Sequence, residues 1–205
     1  TLFLSRRWHR ALPGLPRFTG GAVGYAGYDM VRYYEQIGDG PTDDRGLPDL
    51  SFGLYRTMVI FDHVQKTIKV VCNADVTGDP GQDYREATES IERTINRLRE
   101  GGGQAVGEVQ LDHLPQIPFE SNFARAEFEK AVDACKEYIR AGDIFQVVLS
   151  QRLAVPAHAS PFDIYRALRV VNPSPFMFLL NSPDCTLVGS SPEIMCRVVN
   201  GKVTV

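Results

Sequence analysis

The stretch Leu54–Ala74, LYRTMVIFDHVQKTIKVVCNA, decides the fold class, because it contains two strands and the turn between them. Leu54–Phe61 and Thr67–Cys72 are rich in β-branched and aromatic residues, and the polar run Asp62–Lys66 separates them. So short a link joins only antiparallel neighbours, since a parallel crossover needs a dozen residues or more. Downstream, DVTGDPGQD (Asp75–Asp83) reads as a Gly/Pro/Asp loop. In DYREATESIERTINRLRE (Asp83–Glu100), Ala87, Ile91, Ile95 and Leu98 fall on one helical face, and Gly101–Gly103 stop the helix.

Upstream, FTGGAVGYAGYD (Phe18–Asp29) is spaced G-G-x-x-G-x-x-G. A dinucleotide loop needs G-x-G-x-x-G, and a phosphate loop needs a terminal Gly-Lys-Ser/Thr. The stretch therefore reads as a strand whose glycines admit close backbone approach. Gly101–Pro118 changes in composition to Gly, Gln and Pro and is the linker candidate. The division expected is an N-terminal region, 1–118, and a second region, 119–205.

In the second region, Ala124–Ala141 carries a stripe of Phe128, Ala131/Val132, Cys135 and Tyr138/Ile139, with Gly142 suited to the left-handed cap. AGDIFQVVLSQR (Ala141–Arg152) reads as a buried strand with an amide, Gln146, in its middle. An unpartnered buried amide costs about 1–3 kcal/mol. Strand parity puts Gln146, Val148, Ser150 and Arg152 on one face, either the polar side of a half-exposed strand or the lining of a ligand pocket. Ser160, Pro161 and Asp163 form a capping-box start for a short helix. NPSP (Asn172–Pro175) stops that helix and FMFLL (Phe176–Leu180) reads as a strand. In VGSSPEIM (Val188–Met195), Glu193 lies among apolar strand residues, either at a wet edge or in a site whose burial would favour a general acid. Asn200-Gly201 predicts a type I′ hairpin turn. Hairpins dominate and no regular βαβ alternation appears, which gives α+β with largely antiparallel sheets. A last strand has only begun at Val205, so a truncated piece of a longer protein is expected.

The 43% hydrophobic and 23% charged composition is that of a soluble globular protein. No apolar run approaches the ~20 residues of a membrane helix, and no signal-peptide pattern is present. A net charge of −3 leaves no electrostatic footprint for nucleic acid. The cluster Arg6, Arg7, Trp8, His9 and Arg10 reads equally as a solvated helix face. The four cysteines lack CxxC or Cys/His zinc spacing, and scattered histidines build no local metal site, so free thiols in a reducing cytoplasm are expected.

Taken in order, FTGGAVGYAGYDMVRYYE, AGDIFQVVLSQR, NPSPFMF and VGSSPE closely resemble the anthranilate synthase large-subunit family of chorismate-utilising enzymes. The resemblance runs from LPGLPRFTGG (Leu12–Gly21) to the end. It implies antiparallel sheets packed face to face with helices outside. It implies a lyase that takes chorismate and ammonia to anthranilate and pyruvate with Mg²⁺, the first step of tryptophan biosynthesis. A glutamine amidotransferase partner supplies the ammonia, and tryptophan inhibits. The resemblance makes Glu193 the general acid at the departing C4 hydroxyl. Water-adding relatives carry a lysine base where this chain has Gln146. Ammonia needs no such base, so Gln146 fits an ammonia-using enzyme. Pro175, Phe176 and Met177 would wall the tryptophan site. The Mg²⁺ ligands, with none expected in this chain, and other chorismate contacts fall beyond Val205, so the piece alone is expected to be inactive. The alternatives are the aminodeoxychorismate synthase large subunit of folate biosynthesis, and a non-catalytic tryptophan-binding module.

Overall fold

The computed structural model describes residues 12–103, 106–110 and 116–205. The basic cluster at 6–10, His113 and parts of the linker candidate lie outside the described residues. The chain divides into two compact units: 1–106 with 180–185, and 107–179 with 186–205.

In the first unit, β1 (Gly21–Ala26) pairs antiparallel with β2 (Leu50–Tyr55). Gly24 is needed for that approach, because a Cβ there would overlap the Ser51 carbonyl oxygen. A 3-10 helix, Tyr28–Tyr33, follows β1. β3 (Thr57–Asp62) and β4 (Thr67–Cys72) form the expected hairpin. Asp62 organises its turn by accepting the Val64 and Gln65 amide hydrogens, at 3.1 and 2.9 Å. One expectation is corrected here. Leu54–Phe61 is not a single strand; the chain breaks at Arg56, because β2 pairs with β1 whereas β3 pairs with β4.

Helix α1 (Pro80–Glu100) packs on β4, and the Thr57 and Ser90 hydroxyls meet at 3.1 Å. It begins three residues before the expected start. The Asp79 side chain caps the Gly81 and Gln82 amides, and Pro80 sits at the first helical position, where no donor is missed. Asp83 is 7% exposed and accepts from the Thr77 amide and hydroxyl at 2.8 and 2.7 Å. These bonds hold its carboxyl below the usual aspartate range.

In the second unit, β5 (Glu120–Ser121) leads into α2 (Arg125–Ala141). Phe123 and Phe128 meet edge to face at 5.4 Å, which staples the helix start. Gly142, at φ 84°, closes the helix in the left-handed region. Ile144–Arg152 then corrects a second expectation. Its residues 144–150 form no ladder with any described strand; pairing begins at Arg152, whose carbonyl accepts the Asn122 amide at 3.1 Å, and continues in β6 (Leu153–Ala154), which pairs with β5. Phe145 is 92% exposed and Val148 81%, so the stretch is not a buried strand among these residues. A strand needs a neighbour for its backbone donors and acceptors, and among the described residues no strand pairs with 144–150.

Helix α3 (Pro161–Val171) opens with the expected reciprocal cap. The Asp163 amide donates to Ser160 Oγ at 3.1 Å, and Ser160 Oγ donates to Asp163 Oδ2 at 2.7 Å. It packs on β8 (Thr186–Ser191), which pairs with β7 (Phe176–Asn181). β9 (Arg197–Val199) and β10 (Lys202–Thr204) form the last hairpin. Asn200 and Gly201 have φ of 50° and 75°, as a type I′ turn demands. The fold is thus α+β, with helices beside antiparallel two-stranded ladders. Among the described residues the one buried hydrophobic side chain is Ala87.

Candidate functional site

The β7–β8 hairpin positions four of the five candidate residues. Its strands have six residues each and are joined by Ser182–Cys185. Ser182 closes that end. Its amide and hydroxyl both donate to the Cys185 carbonyl, at 2.9 and 2.8 Å. Equal strand lengths then bring the start of β7 and the finish of β8 together at the open end. Pro175, Phe176 and Met177 lie at that start, and Glu193 lies two residues beyond the finish. The hairpin is tightly matched midway, where a Cβ at Gly189 would overlap the Phe178 ring.

The turn before β7 is stiff. Pro173 and Pro175 bracket Ser174, fixing φ at two positions and removing two amide donors. The Asn172 amide bonds the Leu168 carbonyl at 2.9 Å, so the turn starts from a fixed helix end. Ser190 Oγ donates to the Asn172 carbonyl at 2.6 Å and ties the turn to β8. The Ser174 hydroxyl oxygen is buried and has no hydrogen-bond partner among the described residues. Phe176 is 40% exposed and Met177 is half-buried, so an apolar edge stays open beside the turn.

Glu193 is in a bend, not in a strand, and its side chain is exposed. Pro192, just before it, has no amide hydrogen to continue the ladder. Ser191 Oγ donates to the Glu193 carbonyl at 3.0 Å and shapes that bend. Gln146 lies on the stretch 144–150 outside any described ladder, is exposed, and does not join the hairpin through any ladder of the described residues. Sequence reading missed Ser190 and Asn172. The signal available was a serine pair just before the Pro-Glu dipeptide, which gives no hint of the carbonyl that Ser190 reaches.

Two open concavities, about 420 and 510 Å³, lie against Arg97–Gly103 and against the Phe128/Val132 face of α2. Neither takes a candidate residue. The cysteines Cys72, Cys135, Cys185 and Cys196 are free thiols. Among the described residues, no three His, Cys, Asp or Glu side chains are grouped to hold a metal ion. No described helix is long and apolar enough to cross a membrane.

The family model described as "chorismate binding enzyme" matches residues 3–205. This chain belongs to the chorismate-binding enzyme family. Curated relatives include anthranilate synthase component 1 of Acetivibrio thermocellus, 42% identical over 94% of this chain and 40% of that protein. The protein of the same name from Pseudomonas aeruginosa is 39% identical over 99% of this chain and 42% of its own length. The crystal structure of anthranilate synthase component I from Streptococcus pneumoniae TIGR4 superposes with a TM-score of 0.77 at 35% identity, covering 96% of this chain and 43% of that one. The α+β fold is therefore that of a chorismate-binding enzyme. The chain spans about two fifths of the length of the relatives it matches.

Proposed function

We propose that this chain is part of an anthranilate synthase large subunit, which converts chorismate and ammonia to anthranilate and pyruvate. The observation that carries the reading is the open end of the β7–β8 hairpin, where the stiff 173–175 turn leads into β7 and Glu193 follows β8 by two residues. Identity near 40% to proteins named anthranilate synthase component 1 supports the choice of reaction.

In this reading ammonia attacks C2 of the chorismate ring, the ring double bonds shift, and the C4–oxygen bond breaks. Hydroxide is a poor leaving group, so Glu193 gives the proton that lets it depart as water. The Gln146 amide hydrogen-bonds the incoming nucleophile or the substrate without carrying charge. Loss of the C2 proton and of the enolpyruvyl group, which takes up a proton and departs as pyruvate, then makes the ring aromatic. Mg²⁺ would be held by side chains other than those described here. A glutamine amidotransferase partner supplies ammonia in the cytoplasm, and tryptophan inhibits by seating on Pro175, Phe176 and Met177. The many exposed apolar side chains of this chain, Phe145 and Val148 among them, support its being one part of a longer polypeptide that covers them.

The test is anthranilate fluorescence with chorismate and ammonium as substrates of the full-length protein. Turnover is expected, and Glu193→Gln should lower kcat by about 10²–10⁴-fold. No anthranilate from the wild type would sink the assignment. Wild-type rates from Glu193→Gln would remove Glu193 from the mechanism.

A further inference from the structure

We propose that the hydrogen bond from Ser190 Oγ to the Asn172 carbonyl is the clasp through which a ligand on the 175–177 wall acts on Glu193. The proposal rests on the reading of wall and acid given above, and it assigns a role to two residues outside both.

The wall hangs from Asn172, whose carbonyl is its first rigid point. Behind that carbonyl is the last turn of α3, fixed by the Asn172 amide on Leu168. Ahead of it come Pro173, Ser174 and Pro175, two of which have no amide hydrogen to donate. A turn so poor in donors has few ways of being held in place. The 2.6 Å bond from Ser190 is one of them. The unpaired Ser174 hydroxyl shows that the turn's own polar groups are not all satisfied in this arrangement. A buried polar group without a partner is a place where strain can be held.

On its other side, Ser190 is the second-last residue of β8. The next residue, Ser191, donates to the Glu193 carbonyl at 3.0 Å and closes the bend that carries the carboxyl group. The path from wall to acid is thus Asn172 carbonyl, Ser190 hydroxyl, Ser190–Ser191 backbone and Glu193 bend. It lies wholly within one compact unit. A ligand that presses on Pro175–Met177 shifts the Asn172 carbonyl, and the clasp carries the shift to the end of β8. Ser190 lies outside both the 175–177 wall and Glu193, and its role is that of a positioning residue.

Coupling between two sites is reciprocal, so tryptophan and chorismate must weaken each other's binding by one factor. That factor is the readout, and it does not depend on how kcat moves. Tryptophan binding to the full-length protein is measured by calorimetry with and without saturating chorismate. For Ser190→Ala the ratio of the two dissociation constants should fall about three- to tenfold toward one, the range expected for one lost hydrogen bond. Ser190→Thr keeps the hydroxyl and should hold the ratio within about twofold of wild type. A Ser190→Ala protein with the wild-type ratio overturns the clasp alone. A wild type in which the two ligands bind independently overturns the inhibitor wall, and the clasp with it.

Discussion

Thr57–Cys72 and Ile144–Arg152 are made of similar residues, rich in valine, isoleucine and phenylalanine, yet they end in different states. The first folds on itself, because each strand finds its partner across a four-residue turn, and α1 covers β4. The second forms no ladder over 144–150 among the described residues and is held only at its end, where Arg152 meets Asn122, with Phe145 and Val148 open to solvent. Apolar residues make a strand profitable to bury but do not provide the neighbour that accepts its hydrogen bonds. A hairpin carries its neighbour with it. An isolated strand depends on chain far away in sequence. The difference between the two regions is one of contact distance along the chain, not of composition.

The largest effect that would break the ordered side of this comparison is expected at Gly24. Gly24→Val forces a side chain against the Ser51 carbonyl and should cost more than about 2 kcal/mol, the range of overpacked sites. Amide hydrogen exchange should then lose protection at 21–26 and 50–55 together, while 57–72 keeps its own. Equal loss in both ladders would show that β1–β2 and β3–β4 are not separate elements.

Acid should sharpen the comparison from the same side. Asp83 has its pKa depressed by the Thr77 bonds, so its stabilisation is complete above the ordinary aspartate value of about 3.9 and disappears as pH falls through its lower folded value. The start of α1 should therefore open below about pH 4, and Asp83→Asn should flatten that response. A pH-independent exchange rate at 77–84 in the wild type would contradict the assignment.

The smallest effect is expected in the unpaired stretch. Phe145→Ser in this chain should change stability by less than about 0.5 kcal/mol, as an exposed substitution does. The same change in the full-length protein should cost several times more if chain from elsewhere pairs with 144–152. Equal, small costs in both, read from denaturant unfolding, would mean that the stretch is a surface segment and that Gln146 faces water.

These contrasts also explain what was legible in the sequence. The caps were: Ser160 with Asp163, Gly142 after α2 and Asn200-Gly201 all act within four residues of themselves, so local chemistry determines them. The β1–β2 pairing was not, since some two dozen residues separate its strands and nothing in Leu50–Phe52 names its partner. The break at Arg56 was missed for the same reason: two strands with different partners looked like one apolar run. At the candidate site, Pro175–Met177 and Glu193 were legible as separate motifs, about twenty positions apart. That one opens β7 and the other follows β8 depends on the hairpin between them, which a motif search does not count. The bend at Glu193 follows from Pro192, whose effect on a ladder outweighed the apolar neighbours that suggested a strand.

The hairpin also works as a ruler. Phe178 meets Gly189 and Ser190 meets Asn172 only because β7, its four-residue connection and β8 have their present lengths. Removing one residue from 182–185 would slide every later position past its mate and turn each side chain to the opposite face. Lineages of this chain should therefore tolerate substitutions in that connection far better than insertions or deletions, whereas the Gly-rich run after α1 is free to change in length. Counting residues between Phe176 and Glu193 across diverged copies would read that constraint directly from genomes.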